Sequence, residues 1–354
     1  MDICIVTTTI NDPPNKGLLA KSLQASGFTG KIVVTADRKT PPISLDGYSD
    51  VLDVLTIEDQ YKYLKNPLGI PLDSIQRRNI GYLWAIKEYD PSFIITVDDD
   101  NFPLDDDWVS KHVAKMGLQP GKVLKNKSNV LSLLLEAHCT KGRCFPSHRG
   151  MSFEDLEEYQ KNEPVLEDGI KTVGVNAGMW VGDPDVDAYS RIIYPNLYTS
   201  EKDDALPSVM VDPYYLFHPF NSQNTCIIND LFYSLFLVPM GSLVYDYRIG
   251  RYDDIWQSYI CQKVMSNLDL SIRFGTPIVK QDRNVHSNVG DLHQEYPGIL
   301  LTNKFIKLLT EDLKLFSSSS KDNMYEVSDA LLKSEVKYFN EVGQKILWWL
   351  GELK

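Results

Sequence analysis

An α/β fold with a mostly parallel central sheet is what this sequence predicts, and three observations predict it. Short β-branched runs alternate with helical segments through the N-terminal part, which calls for parallel strands joined by crossovers. Polar residues fall where those runs stop: Thr7-Thr8-Thr9, Asp37 and Asp98-Asp99-Asp100. In open sheets of this kind, ligands collect at the carboxyl ends of the strands. Finally, no GxGxxG turn follows the first run, so the sheet lacks the phosphate turn of a dinucleotide-binding domain.

Residues 2–8 form the first expected strand, and residues 16–26 a helix closed by Gly27. Residues 31–35 and 50–55 read as the second and third strands. Asp73 or Ser74 caps a helix running to about Glu88, and residues 92–97 make the fourth strand. The second half is less regular. Residues 129–137 and 172–181 read as buried strands, and a helix starts near Asp253 within 249–266. The serine run in 316–323 reads as a linker. Beyond it, Val327, Leu331, Leu332, Val336, Phe339, Val342, Ile346 and Leu350 recur at helical spacing, predicting one amphipathic C-terminal helix. Such a stripe normally packs on its own domain; its Trp348-Trp349 pair leaves contact with a partner, an oligomer through this helix, or a membrane surface as the alternative. The expected division is a main domain over 1–300 and a C-terminal helical tail over 301–354.

Composition agrees with a folded chain. Of 354 residues, 43% are hydrophobic and 24% charged, enough to build a large core. The formal charge of −12 argues against broad electrostatic binding of nucleic acid or anionic membrane. The N-terminus enters a strand directly, so no targeting leader is expected, and no run is long enough to span a bilayer. Five scattered cysteines (Cys4, Cys139, Cys144, Cys226, Cys261) suggest reduced thiols and a cytoplasmic location.

The chemistry concentrates at Thr96-Val97-Asp98-Asp99-Asp100-Asn101. Three adjacent carboxylates at a buried strand end repel one another, so a compensating cation is expected there. Hard oxygen ligands in an Asp-x-Asp pattern suit Mn²⁺ or Mg²⁺ held jointly with substrate phosphates. Asp105-Asp106-Asp107, by contrast, reads as a solvated acidic turn. Upstream, Arg78 and Asn79 offer fork-shaped and amide donors on the helix that precedes this strand, and Gly81 permits close helix packing.

These segments carry a resemblance. Val6-Thr7-Thr8-Thr9-Ile10-Asn11, Ala36-Asp37-Arg38-Lys39-Thr40-Pro41-Pro42, Ile57-Glu58-Asp59-Gln60, Arg78-Asn79-Ile80-Gly81-Tyr82 and Asp98-Asp99-Asp100-Asn101 follow one another as in the STELLO-like glycosyltransferases. Gly250-Arg251-Tyr252-Asp253-Asp254-Ile255-Trp256, Val175-Asn176-Ala177-Gly178-Met179-Trp180 and Asp185-Val186-Asp187-Ala188 resemble the reversibly glycosylated polypeptides, the UDP-arabinopyranose mutases. The resemblance implies a GT-A (nucleotide-diphospho-sugar transferase, Rossmann-like) fold and a UDP-sugar donor. It places Thr7, Thr8, Thr9, Asp37, Arg78, Asn79, Asp98, Asp99, Asn176, Gly178 and Arg251 around the nucleotide sugar. Asp98 and Asp100 would hold the metal. His286 is the candidate third ligand in the STELLO-like pattern, whereas the mutase-like pattern puts that position at Asp282. Asp253 or Asp254 would stand beside the sugar and acceptor as general base; Asp253 also reads as a helix N-cap.

The acceptor is open: a glycan, a protein or a hydroxylated DNA base. Lys141, Arg143, His148 and Arg149 form either a wet surface loop or a clamp on a phosphorylated acceptor. His138, Cys139, Cys144 and His148 match no standard zinc spacing. The expected activity is therefore metal-dependent transfer of a sugar, UDP-arabinose among the candidate donors, to an acceptor hydroxyl. The alternatives are a pyranose/furanose mutase of a UDP-sugar and a non-catalytic nucleotide-sugar-binding scaffold.

Overall fold

The computed structural model describes residues 2–66, 69–284 and 287–354. Its first part follows the expected alternation: β1 (Ile3–Thr9), α1 (Lys16–Ser26), β2 (Gly30–Ala36), β3 (Leu52–Leu55), α2 (Ile57–Tyr63), α3 (Arg78–Trp84) and β4 (Phe93–Val97). β1 lies between β2 and β4 and runs parallel to both, and β3 extends the parallel set beyond β2. All of β1 is buried, which is why its run shows no alternation: both faces are covered. At Gly81 a Cβ would stand 2.6 Å from the Thr35 hydroxyl and 2.8 Å from a Val6 methyl. Only glycine lets α3 approach β1 and β2 this closely, and that approach carries Arg78 down onto the strand ends.

The remaining elements are β5 (Asn101–Pro103), α4 (Trp108–Val113), β6 (Gly117–Leu124), α5 (Val130–Leu134), β7 (Leu135–Cys139), β8 (Gly142–Cys144), α6 (Leu156–Lys161), β9 (Leu166–Gly182), α7 (Ala188–Ile193), β10 (Tyr198–Glu201), β11 (Ser208–Val211) and β12 (Asn224–Ile228). They are followed by β13 (Leu243–Val244), β14 (Tyr247–Arg248), α8 (Asp253–Asn267), β15 (Ser271–Gln281), α9 (Asn288–Lys307), α10 (Ser320–Leu332) and α11 (Lys337–Glu352). The parallel part, β3-β2-β1-β4, continues as β12-β9-β6-β11-β15-β5, so the whole sheet is mixed. β12 runs antiparallel to both β4 and β9, while β15 runs parallel to β9. The long β9 serves two partners: its first half pairs with β6, and its second half with β12 and β15.

Two expected elements change. Residues 129–137, read as one strand, divide into the short helix α5 and the strand β7. A short apolar run cannot signal its own period, and here its first turn is a buried helix. The single C-terminal helix is two, α10 and α11. The chain turns between them, and Asn340 holds that turn by donating from Nδ2 to the carbonyls of Leu331, Leu332 and Ser334 at 2.9–3.0 Å. Close packing of the pair requires Gly343, where a Cβ would meet the Ser328 carbonyl at 2.9 Å. Replacing Asn340 with alanine removes its contacts to the Leu332 and Ser334 carbonyls, while the Leu331 carbonyl keeps the Ser334 amide, and is expected to lower stability by about 1–2 kcal/mol, read as a shift of the urea midpoint.

The apolar stripe of α10 and α11 is spent on the chain's own core. Trp349 is fully buried, stacks on Phe236 with centroids 5.6 Å apart, and donates to the Tyr233 carbonyl. Trp348 donates to the Asn66 carbonyl at 3.2 Å. Trp349 therefore faces inward and Trp348 lies half-buried, so this helix packs on its own domain. α9 runs across residue 300, and Leu301, Phe305, Val342 and Trp349 belong to the same hydrophobic cluster as the sheet. No helix among the described residues is long and apolar enough to cross a membrane.

Candidate active site

One edge of the sheet gathers the chemistry, and strand direction explains why. β1 and β4 are parallel, so Thr8 and Asp98 emerge together. β12 is antiparallel to β4 and begins where β4 ends; the Asp98 amide donates to the Gln223 carbonyl at 3.2 Å. β9 is antiparallel to β12 and β15 parallel to β9, so both finish at this edge, delivering Asp185 and Gln281. The amino end of α8 adds Asp253 and Asp254. These residues, with Arg78, Asp99, Asp100, Arg149, Arg191, Ser222, Arg251 and Arg283, line a cavity of about 920 Å³. That volume is in the upper range of small-ligand clefts.

At the acidic run, the three carboxylates take different roles. Asp98 pairs with the fully buried Arg78, which also donates to the carbonyl and hydroxyl of Ser222 at 3.1 and 2.9 Å. A protein cation thus supplies part of the compensation expected from a metal. Asp99 accepts a 2.5 Å hydrogen bond from Thr9, while Asp100 accepts one from the Asn101 amide at 2.9 Å. Burial, reinforced by the charges of Asp98 and Asp99, pushes the Asp100 carboxyl up to about 7. Burial also raises Asp98, against the pull of Arg78.

The donor set fits a hard divalent cation. Asp100 and Asp98 present carboxylate oxygens at one strand end, and Mg²⁺ or Mn²⁺ is commonly held by one or two carboxylates plus substrate phosphates. Among the described residues no three His, Cys, Asp or Glu side chains converge into a closed metal cage. His286 lies outside the described residues. Asp282 is exposed and does not line the cavity, although its amide donates to the Asp100 carbonyl at 3.0 Å.

The two aspartates of α8 differ sharply. Asp254 accepts two contacts of 3.0 and 3.1 Å from Arg149 and one of 3.1 Å from the Ser222 amide. It is committed to holding Arg149, which also pairs with Asp185. Asp253 has one side-chain hydrogen-bond partner among the described residues, Gln76 at 3.2 Å. Burial first, then the Asp254 charge, push its carboxyl up to about 6. A carboxyl poised there can take a proton near neutral pH.

Other sequence candidates lie apart from the cavity. Asn79 is clamped to Leu237, accepting from its amide at 2.8 Å and donating to its carbonyl at 2.9 Å. Asp37 is fastened to the Ser74 and Arg38 amides at 2.9 and 2.8 Å. Thr7 is buried in β1, and Thr9 reaches the site through Asp99. Asn176 and Gly178 line a separate cavity of about 540 Å³ with Arg273. Asp105 and Asp107 pair with Lys111 at the surface, as a solvated turn does. The basic loop divides: Arg143 sits on the exposed β7–β8 hairpin, while Arg149 is a buried wall of the cavity. Ser222 and Arg191 went unread at the sequence level, and Arg283 entered only as part of the STELLO-like segment that ends at His286, with no role of its own. Ser222 precedes β12, Arg191 lies within α7 and Arg283 follows β15, so the place of each in the cavity depends on long-range pairing.

A family model described as reversibly glycosylated polypeptide matches residues 159–353. UDP-arabinopyranose mutase 2 of Arabidopsis thaliana is 23% identical over 279 residues, covering 77% of this chain and 70% of the relative. Probable UDP-arabinopyranose mutase 1 of Solanum tuberosum is 25% identical over 279 residues, covering 77% and 69%. Among solved structures, glucosyl-3-phosphoglycerate synthase from Mycobacterium tuberculosis in complex with phosphoglyceric acid superposes with a TM-score of 0.43 at 9% identity, covering 85% of this chain and 78% of that one.

Proposed function

Because this chain belongs to the reversibly glycosylated polypeptide family, we propose that its cavity binds a UDP-sugar with a divalent cation and that it moves the sugar to an acceptor hydroxyl. The observation that carries the reading is the pairing, in one cavity, of the Asp98–Asp100 strand end with Asp253, a carboxyl pushed up to about 6. The first suits a nucleoside diphosphate with its cation, and the second a hydroxyl that must lose its proton.

Thr8 and Arg78 border the donor's place, and Asp100 with Asp98 would hold the cation. When bound, that cation supplies Lewis-acid stabilisation of the charge growing on the leaving diphosphate. Asp253 takes the acceptor's proton as the acceptor oxygen bonds to the anomeric carbon. The bond from that carbon to the phosphate oxygen breaks, and UDP leaves with the electron pair. Asp254, Arg149 and Asp185 fix the helix end that positions Asp253. A cytoplasmic location is part of this proposal, on the ground of five scattered cysteines in the sequence.

The names of the relatives favour a second reading, interconversion of pyranose and furanose forms of one UDP-sugar. The two readings separate in one experiment. Purified protein with Mn²⁺ is incubated with UDP-arabinopyranose or UDP-glucose, alone and with sugars, peptides or hydroxymethylated DNA. Release of UDP that depends on an acceptor is expected. Conversion of UDP-arabinopyranose to its furanose form without UDP release would replace transfer by the mutase reading. Binding of UDP with neither reaction would leave a scaffold.

A further inference from the structure

Three arginines of the cavity wall have no part in the transfer just described. Arg191 comes from α7, Arg251 from the turn before α8, and Arg283 from just beyond β15. The side chains of Arg191 and Arg283 are only 9% and 8% exposed, so little water reaches them. Their protein partners are few for their donor capacity, five N–H groups each. Arg283 donates from Nη2 to Asp291 at 2.8 Å, its one hydrogen bond among the described residues. The same carboxylate stands 3.7 Å from Arg251, which otherwise donates to Glu295 at 2.8 Å. Arg191 binds Asp183 and the Pro184 carbonyl, and its enclosed Nε has no partner among the described residues. Arg149 is the contrast: Asp185, Asp254 and the Arg251 carbonyl occupy it, so it is structural.

Buried like charges that share a carboxylate repel one another. Arg283's pKa is lowered, first by burial and then by the charges of Arg191 and Arg251. An oxyanion with several acceptor oxygens would relieve the crowding and use the idle donors, and guanidinium forks match phosphate geometry.

We propose that Arg191, Arg251 and Arg283 form a phosphate-binding subsite within the cavity. Its occupant rests on the UDP-sugar reading above. The phosphate belongs either to the donor's diphosphate or to a phosphorylated acceptor, and a phosphorylated acceptor would name the substrate class.

The test titrates inorganic phosphate into the metal-free full-length protein by calorimetry, then into Arg191→Gln and Arg283→Gln. Wild type is expected to bind phosphate, and each variant to bind it roughly tenfold more weakly. A parallel titration with UDP separates the sources. A matching loss of UDP affinity supports the subsite and assigns it to the donor. Unchanged UDP affinity supports the subsite and assigns it to a phosphorylated acceptor. Equal phosphate affinity in wild type and variants, or no phosphate binding by wild type, overturns the subsite. Should the Gln variants fold poorly, Arg191→Lys and Arg283→Lys keep the charge opposite Asp183 and Asp291 but lose the fork. A weaker phosphate affinity in them supports the subsite, and an unchanged one overturns it. Phosphate binding by wild type without any UDP binding would instead overturn the nucleotide-sugar reading and leave the subsite standing.

Discussion

Asp100→Ala is expected to slow UDP-sugar turnover by about a thousandfold and to abolish its dependence on Mn²⁺. A bound cation contributes several kcal/mol to the charged transition state, and about 4 kcal/mol corresponds to three decades in rate. Asp100 is the natural point to strike, because Asp98 is held by Arg78 and Asp99 by Thr9. The loss should not come from unfolding. The folded-state carboxyl of Asp100 lies at about 7, above the unfolded value near 3.9, so its ionisation costs stability as pH rises through that interval. Alanine removes the cost, and the metal-free variant should melt no lower than wild type at pH 8. A UDP-release assay with a Mn²⁺ titration reads the effect; wild-type turnover in a well-folded variant would sink the metal assignment.

Asp253→Asn should reduce kcat by about 10²–10⁴-fold, the usual worth of a positioned general base. Wild-type activity should rise with pH through about 6, where the Asp253 carboxyl ionises, and the residual activity of the variant should not. The sign for stability is opposite to that for activity. Because the folded pKa is raised, the folded state binds the proton more tightly than the unfolded chain does. Wild type therefore loses stability between about pH 4 and pH 6 and remains penalised above, by up to about 3 kcal/mol. Asparagine escapes the penalty and can still accept from Gln76, so the variant should equal wild type near pH 4 and exceed it at pH 8. A variant that keeps the wild-type pH profile would transfer the base role elsewhere. Asp254 is a poor replacement, since Arg149 and the Ser222 amide already occupy it.

Much of this was legible along the chain. β1, β2 and β4 were readable because strands covered on both faces must be continuously apolar, and the Asp98–Asp100 run was conspicuous for breaking such a pattern. The start of α8 at Asp253 was readable from its carboxylates at a helix N-terminus, although Tyr252 and not Asp253 takes the N-cap position and no side chain caps the helix. Resemblance to the reversibly glycosylated polypeptides was equally legible in Gly250–Trp256, and the family match bears it out. Asn79 shows where such reading stops. Its neighbours in sequence suggest a ligand contact, but its amide is consumed by Leu237, 158 residues away.

The turn between α10 and α11 escaped because both halves keep one apolar face, and hydrophobic period does not record a reversal. Likewise, Arg149 and Arg143 look alike in the sequence, and only folding buries one and exposes the other.

The sequence by itself determined the parallel N-terminal sheet, the acidic strand end and the family, since these depend on residue type and local period. Tertiary structure alone decided what the aspartates can do. The pairing of β12, β9 and β15 onto β4 brings Arg78 to Asp98, Arg149 to Asp254, and leaves Asp253 buried and Asp100 half-buried, each with little compensation. Whether a carboxylate is a structural anchor or a titratable group depends on the charges and solvent around it, and those arrive from strands distant in the chain.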